Sequence, residues 1–243
     1  MSAEQKTNKS LWITYGVEFL SVFMAVMLAF ALSNWNDARK SQEAESKILT
    51  EIYYGLEKDL EDVNENEYGH KTGLKAVRFL RKMVDGQAVA RDSFARKYIE
   101  VTRDFISIQN TTGYEALKSR GLELIQNDIL RKKITSLYEF DYNVLQKFEE
   151  EYYEAQFQEN YFHKINDILV PYLLFDESSK LSGIRSPLQL SERDRNAILV
   201  YLFEIEVNRR LILRYYPNVK EKIIELREII EEYLNLSTEE KEG

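Results

Sequence analysis

The apolar run at residues 11–32, LWITYGVEFLSVFMAVMLAFAL, constrains this chain more than any other stretch. Only Thr14, Glu18 and Ser21 interrupt it. At about 1.5 Å of rise per residue, a helix of this length covers roughly 33 Å, the hydrocarbon thickness of a bilayer. Trp12 and Tyr15 lie near one end and Trp35 just past the other, where amphipathic rings suit the two membrane interfaces. A buried core helix is rarely so apolar on every side. A cleaved signal peptide is the main competing reading, with Ala29-Phe30-Ala31 as its cleavage site. Apolar regions of signal peptides usually run about 7–15 residues, and this one is longer.

Inside the span, Ser21, Ala25, Ala29 and Ser33 recur every four residues. Small residues at that spacing line one helix face and let a second backbone approach closely. Glu18 sits about 9 Å inside Trp12 by helical rise. A carboxylate at that depth favours protein or water over lipid, or snorkels to the interface. Thr14 and Ser21 lie on its face and are candidate hydrogen-bond partners. The expected membrane-helix association face is therefore Glu18, Ser21, Ala25, Ala29 and Ser33.

Gly16-Val17-Glu18 opens the span and Ser33-Asn34-Trp35-Asn36-Asp37 closes it. This resembles an uncharacterised bacterial family of single-span membrane proteins, whose span starts with Gly-Glu and closes on Asn-Asn-Trp-Asn-Glu before a charged helix. Here Val17 separates Gly16 from Glu18, and Ser33 replaces the first Asn. The stretch from Thr112 to Ser119, TGYEALKS, is similar to that family's Thr-x-Tyr-Glu-x-Leu-Lys-Ser segment. The resemblance covers about a quarter of the chain. It implies a bacterial membrane location and no particular chemistry.

The chain has 243 residues and a net charge of −8, which opposes a nucleic-acid partner, since that needs a basic face. It has no cysteine, so a disulfide scaffold, a zinc–cysteine site and a thiol nucleophile are excluded. Three prolines and nine glycines suit long helices. Lys6 and Lys9 flank one side of the span, Arg39, Lys40 and Lys47 the other, so the positive-inside bias barely chooses. A short tail, one anchor and a large following domain imply an inner-membrane protein with its bulk in the periplasm.

The expected fold is all-α: one N-terminal transmembrane helix continuing into an antiparallel bundle of long helices. The expected segments are a polar tail at 1–10, the span at 11–35, a juxtamembrane helix at 36–67, the bundle at 68–236 and a charged tail at 237–243. Leu49, Ile52, Leu56, Leu60 and Val63 form a helical apolar stripe that also fits a coiled-coil seam. Gly69 and Gly73 are expected to break or bend it. Helices are expected near 74–84 and 93–106. Residues 37–67 are net acidic and 71–103 net basic, so these two stretches are expected to pack antiparallel. Thr112 and Glu115 fit a capping box, with Gly121 as C-cap. Asn127 or Asp128 caps a helix expected to run unbroken to Pro171, burying Leu137, Val144, Phe148, Tyr152 and Ala155. Residues 176–191 are loop-like. Ser191 starts another helix that Pro217 should stop near Tyr215, with Asn218 capping the last one.

Constellations with chemical potential are few. Glu67-x-x-His70 has the spacing of half a di-iron carboxylate site, but one pair is too few ligands. Glu159 and His163 read as a surface ion pair, and Glu149-Glu150-Glu151 as solvated helix surface. No phosphate loop, dinucleotide fingerprint or nucleophile elbow is present. The expectation is no enzyme, no cofactor and no metal. The expected partners are the lipid bilayer and either a second copy of the chain or another membrane protein. Two functions remain: a membrane-anchored helical scaffold or interaction protein, or an exported sensory module relaying through a membrane partner. The roughly ten residues beyond the span are too few for an output domain, which favours the scaffold.

Overall fold

The computed structural model describes residues 4–90 and 93–235, with side chains from Tyr15 onward. Helix makes up 81% of it and strand 3%, so the fold is all-α. The chain divides into two compact units, Met1–Ile48 and Leu49–Gly243. Helix α1, Glu4–Val84, contributes residues to both. The polar tail at 1–10 and the ring of Trp12 fall outside the described side chains, and the charged tail at 237–243 outside the described residues.

In the first unit, residues 15–35 are all exposed. An 18-residue window there has a mean hydropathy of 2.0, and none of it is buried. It is long and apolar enough to cross a membrane.

The second unit is a helical bundle. After α1 come α2 (Phe94–Thr102), α3 (Thr112–Arg120), α4 (Asp128–Ser136), α5 (Tyr142–Gln146), α6 (His163–Leu169) and α7 (Glu192–Leu234). Strands β1 (Leu173–Phe175) and β2 (Leu181–Ile184) form an antiparallel hairpin in the stretch before α7, with Leu173 opposite Ile184. Within this unit α1 buries Leu49, Ile52, Leu56, Val63, Val77, Leu80 and Met83, each no more than 1% exposed. From α7, Ile198, Leu202, Ile205, Ile212, Val219, Ile223, Leu226 and Ile230 face the same core. Each such side chain contributes about 1.5–3 kcal/mol on burial. Ion pairs then fix the register of α1 against α7: Glu57–Arg227, Glu67–Lys220, Arg81–Glu206 and Asp85–Arg195. One number rises as the other falls, so the two run antiparallel. Such partly exposed pairs contribute about 0–1 kcal/mol each, far less than the apolar faces they align.

Several local expectations are corrected. Gly69 and Gly73 do not interrupt α1, which continues to Val84. The acidic stretch of α1 therefore cannot fold back on residues 71–84 of the same helix, and it finds its cations on α7 instead. The Thr112/Glu115 capping box does not form; no side-chain cap closes α3, and Asn110 Oδ1 accepts from the Thr112 N–H. Gly121 does carry a positive φ, of 99°. Asn127 caps α4 as expected, accepting from the N–H groups of Ile129 and Leu130. The helix beyond α4 is not continuous. It widens into π-helical turns at Leu137–Asp141, Lys147–Glu151 and Gln158–Phe162, and breaks between the second and third. Each i→i+5 turn adds a residue and rotates the downstream helix by about 100°. The inward face becomes Leu130, Ile134, Leu137, Asp141, Leu145 and Glu149, while Tyr152 is left 37% exposed.

Ser191 caps α7, accepting from the Asp194 N–H at 3.1 Å. The helix then passes straight through Pro217. Proline removes one backbone N–H and crowds the carbonyl four residues earlier. Here Ile212, Tyr216, Val219 and Ile223 on either side of it are buried, so tertiary packing outweighs the break. Pro217 itself is exposed. Pro217→Ala is therefore expected to raise stability by about 1–3 kcal/mol. The check is the urea midpoint of the helical circular dichroism signal; a lower midpoint would show that packing depends on the proline.

Candidate functional site

On the membrane-type span, Glu18, Ser21, Ala25, Ala29 and Ser33 are all exposed. Ser21 does not reach for Glu18: its hydroxyl donates to the Val17 carbonyl at 2.8 Å. Thr14 lies outside the described side chains. At the far end Trp35 is 65% exposed, and the Arg39 guanidinium lies 6.0 Å from its ring centre. Tyr15 is 63% exposed.

The second site is a buried polar network in the bundle, and most of it is not foreseen from the sequence. Between α2 and α3 the chain crosses the bundle as an irregular strap, residues 103–111. Such a segment has neither helix nor ladder to occupy its backbone groups. Carboxylates on neighbouring helices accept its N–H groups instead. Asp59 of α1 takes the Asn110 N–H at 2.6 Å, and Asp62 one turn on takes that of Ile108 at 2.8 Å. Glu149, from the second π turn, takes the Ser107 N–H at 2.7 Å and its hydroxyl at 2.9 Å. Asn66 donates to the Ser107 hydroxyl oxygen at 3.2 Å. Tyr142 donates to Asp59 at 2.7 Å, and Tyr216 of α7 donates to Glu149. Asp104, on the strap, accepts in return from the Phe157 N–H at 2.7 Å.

Arg209 of α7 holds the carbonyls where α2 passes into the strap. Its Nη2 donates to Arg103 O at 2.7 Å and Val101 O at 3.1 Å. Its guanidinium lies 4.2 Å from the Phe157 ring centre, a cation–π contact in a fully buried setting. Its Nη1 lies 3.0 Å from His70 Nδ1. Arginine only donates, so Nδ1 accepts and the imidazole proton sits on Nε2. Burial, then the Arg209 charge, pushes His70 down to about 3, so it is neutral at physiological pH. Burial lowers Arg209 only to about 10, so it stays charged. Burial pushes Asp59 up to about 6 against the opposing bonds from Tyr142 and Asn110. It also raises Glu149 and Asp104.

Gly69 and Gly73 make room for this network. A methyl group on Gly69 would stand 2.2 Å from the Phe105 ring, and one on Gly73 2.6 Å from the Arg209 guanidinium. Glu67, the other half of the suspected metal spacing, pairs with Lys220 and Lys71 at 2.6 and 2.8 Å. Among the described residues no group of three or more His, Asp or Glu is placed to hold a metal. Glu149 is 3% exposed, which corrects its reading as solvated surface. The π turn carries it inward, and no sequence period announces that turn. The other polar residues leave a signal: Asp59, Asn66 and His70 fall within the α1 apolar face, and Arg209 lies between Ile205 and Ile212. A polar residue on the apolar stripe of a long helix is the mark of a buried, partnered group. Comparison of the chain with protein-family models, with curated proteins and with solved structures finds no match.

Gly→Ala inside a helix ordinarily stabilises by about 1 kcal/mol. Gly69→Ala and Gly73→Ala are expected to reverse that sign and destabilise by about 1–3 kcal/mol through overpacking, read from chemical denaturation. A second expectation concerns pH. The folded pKa of Asp59 lies above its ordinary 3.8, so its contribution is complete below that value and is lost as pH rises through about 6. The stability of Asp59→Asn relative to wild type should thus improve by on the order of 3 kcal/mol between pH 4 and 7. The difference curve isolates this from His70, whose depressed pKa acts in the opposite direction by removing stability as pH falls below 6.5. A flat difference curve would show that Asp59 is ionised at little cost.

Proposed function

We propose that this chain is a single-pass bacterial inner-membrane protein whose helical bundle serves as a scaffold or interaction body, with most of the chain in the periplasm. The observation that carries it is the 18-residue window of α1 with mean hydropathy 2.0 and no buried residue. Monomeric soluble proteins rarely leave so large a contiguous apolar surface to water. The likeness of the span ends and of residues 112–119 to a bacterial single-span family supports the same reading. The strap network supports a non-enzymatic role, because its acids and Arg209 are engaged in holding backbone. A sensory module is the second reading, favoured by a small charged cavity in the bundle.

The span pairs through Glu18, Ser21, Ala25, Ala29 and Ser33. Lipid gives apolar side chains no drive to associate, so close backbone contact and interhelical hydrogen bonds supply it. Alkaline carbonate extraction tests the anchor: the protein stays in the membrane pellet, and release at full length refutes it. For the pairing face, a Ser33→Cys crosslinking reporter is read in the otherwise cysteine-free chain. Ala25→Ile is expected to lower crosslinked dimer roughly 3- to 10-fold, while Met24→Ile, about 100° around the helix from Ala25, leaves it unchanged. Equal behaviour of the two variants would reduce the span to an anchor alone.

A further inference from the structure

We propose that the tail of the strap, residues 107–110, is a pH-sensitive clasp that three carboxyl groups hold at mild acidity and release as pH rises. Asp59 and Asp62 of α1 and Glu149 of the second π turn accept the N–H groups of Asn110, Ile108 and Ser107. Among the described residues none of the three acids is in an ion pair; cations of α7 go to Glu57, Glu67 and Asp141 instead. Apolar packing adds little to the hold. From residue 106 to residue 112 no apolar side chain is buried, and Ile106 and Ile108 are 43% and 78% exposed. The tail is therefore free to lift without breaking the core, as low-cost local openings do. The clasp does not rest on membrane anchoring; carbonate extraction and the test below fail separately.

Charge decides how firmly the tail is held. Asp59 and Glu149 are 1% and 3% exposed. Burial raises both against the bonds they accept, Asp59 to about 6, and the Asp62 charge raises both further. Protonated, each keeps a carbonyl oxygen for its amide, and its new O–H turns to the hydroxyl of Tyr142 or Tyr216, which then accepts. Ionised, three like charges stand together under the tail with no counter-ion. The folded pKa of Asp59 lies above its ordinary 3.8, so its hold is complete below that value and is lost as pH rises through about 6. The head of the strap is fastened chiefly by groups that keep their charge between pH 5 and 8. Arg209 of α7, lowered by burial only to about 10, grips Val101 O and Arg103 O. Phe105 lies against His70, ring centres 5.3 Å apart; burial, then the Arg209 charge, holds His70 at about 3. Tyr138, Tyr142 and Tyr216 also face the strap, and burial pushes all three up, so they stay protonated. On the strap itself Arg103 is exposed, and Asp104, raised by burial like Asp59, secures the head through the Phe157 N–H.

The test is hydrogen–deuterium exchange of full-length protein in detergent micelles, read by mass spectrometry and corrected for the intrinsic pH dependence of exchange. Protection of the Ser107, Ile108 and Asn110 amides is expected to be about tenfold higher at pH 5 than at pH 7.5 from Asp59 alone, with Glu149 adding to it. Core amides of α1 around Leu49–Leu56 open only with the bundle. They are not expected to follow, because His70 is then uncovered and acts in the opposite direction. Asp59→Asn combined with Glu149→Gln keeps an acceptor at both places and is expected to abolish the pH dependence of the tail. Asp62→Asn removes the shared negative neighbour and is expected to move the loss of protection to lower pH. Where the double variant does not fold, Asp62→Asn decides, and an unmoved midpoint overturns the clasp. Equal tail protection at the two pH values in the wild type also overturns it. So does loss of tail and core protection in step, or an undiminished pH dependence in the double variant.

Discussion

The bundle depends on how one irregular segment disposes of its backbone N–H groups. The strap has neither helix nor ladder to pair its amides, and at Ser107, where it is buried, an unpaired donor would cost about 1–3 kcal/mol. Asp59, Asp62 and Glu149 meet three of them with carboxylates, and Arg209 answers from the carbonyl side. This ties together pieces distant in sequence: α1 holds one edge of the strap, the second π turn another, and α7 its beginning. The apolar faces supply most of the stabilisation, but many arrangements of helices would bury them. The polar contacts discriminate among those arrangements, because a slip of one residue between α1 and the strap would leave both acids and amides without partners.

That solution has an electrostatic consequence. Carboxylates in this setting are pulled toward neutrality by burial and toward ionisation by the hydrogen bonds they accept, and for Asp59 burial prevails. On the ion-paired flank the balance is reversed. Burial works against ionisation of Glu67 and Glu206, but bonds from Lys220 and Lys71, and from Arg210 and Arg81, outweigh it and lower both pKa values. The same molecule thus contains acids favoured by mild acidity and acids favoured by neutrality.

The helical class and the main apolar stripes were legible in the chain. Leu49, Ile52, Leu56 and Val63 repeat at three and four residues and are buried as that spacing requires. Two side-chain caps were legible as well, Asn127 and Ser191, whereas the box at Thr112 and the cap at Asn218 were not formed. Illegible were places where long-range packing overrides a local rule. Gly69 and Gly73 looked like breaks because a glycine carries no mark of what fills the space beside it; Phe105 and Arg209 do. Pro217 looked like a stop because its neighbours' burial is a tertiary fact. The π turns left no periodic trace, and with them went the inward placement of Asp141 and Glu149. His70 and Asp59 were readable in principle, as polar residues within the α1 apolar face, but only a partner from another element explains why the chain tolerates them there.

Arg209 has a consequence in time as well as in space. It grips Val101 O across 108 residues of chain. A ribosome adding about 5–20 residues per second delivers it roughly 5–20 s after the strap's first carbonyls have left the peptidyl-transferase centre. Throughout that interval α1 and the strap exist without the guanidinium that closes them, and their carbonyls and His70 remain answered by water. Helix α7 is therefore the element that closes the contacts of the strap and of His70, which are made before it.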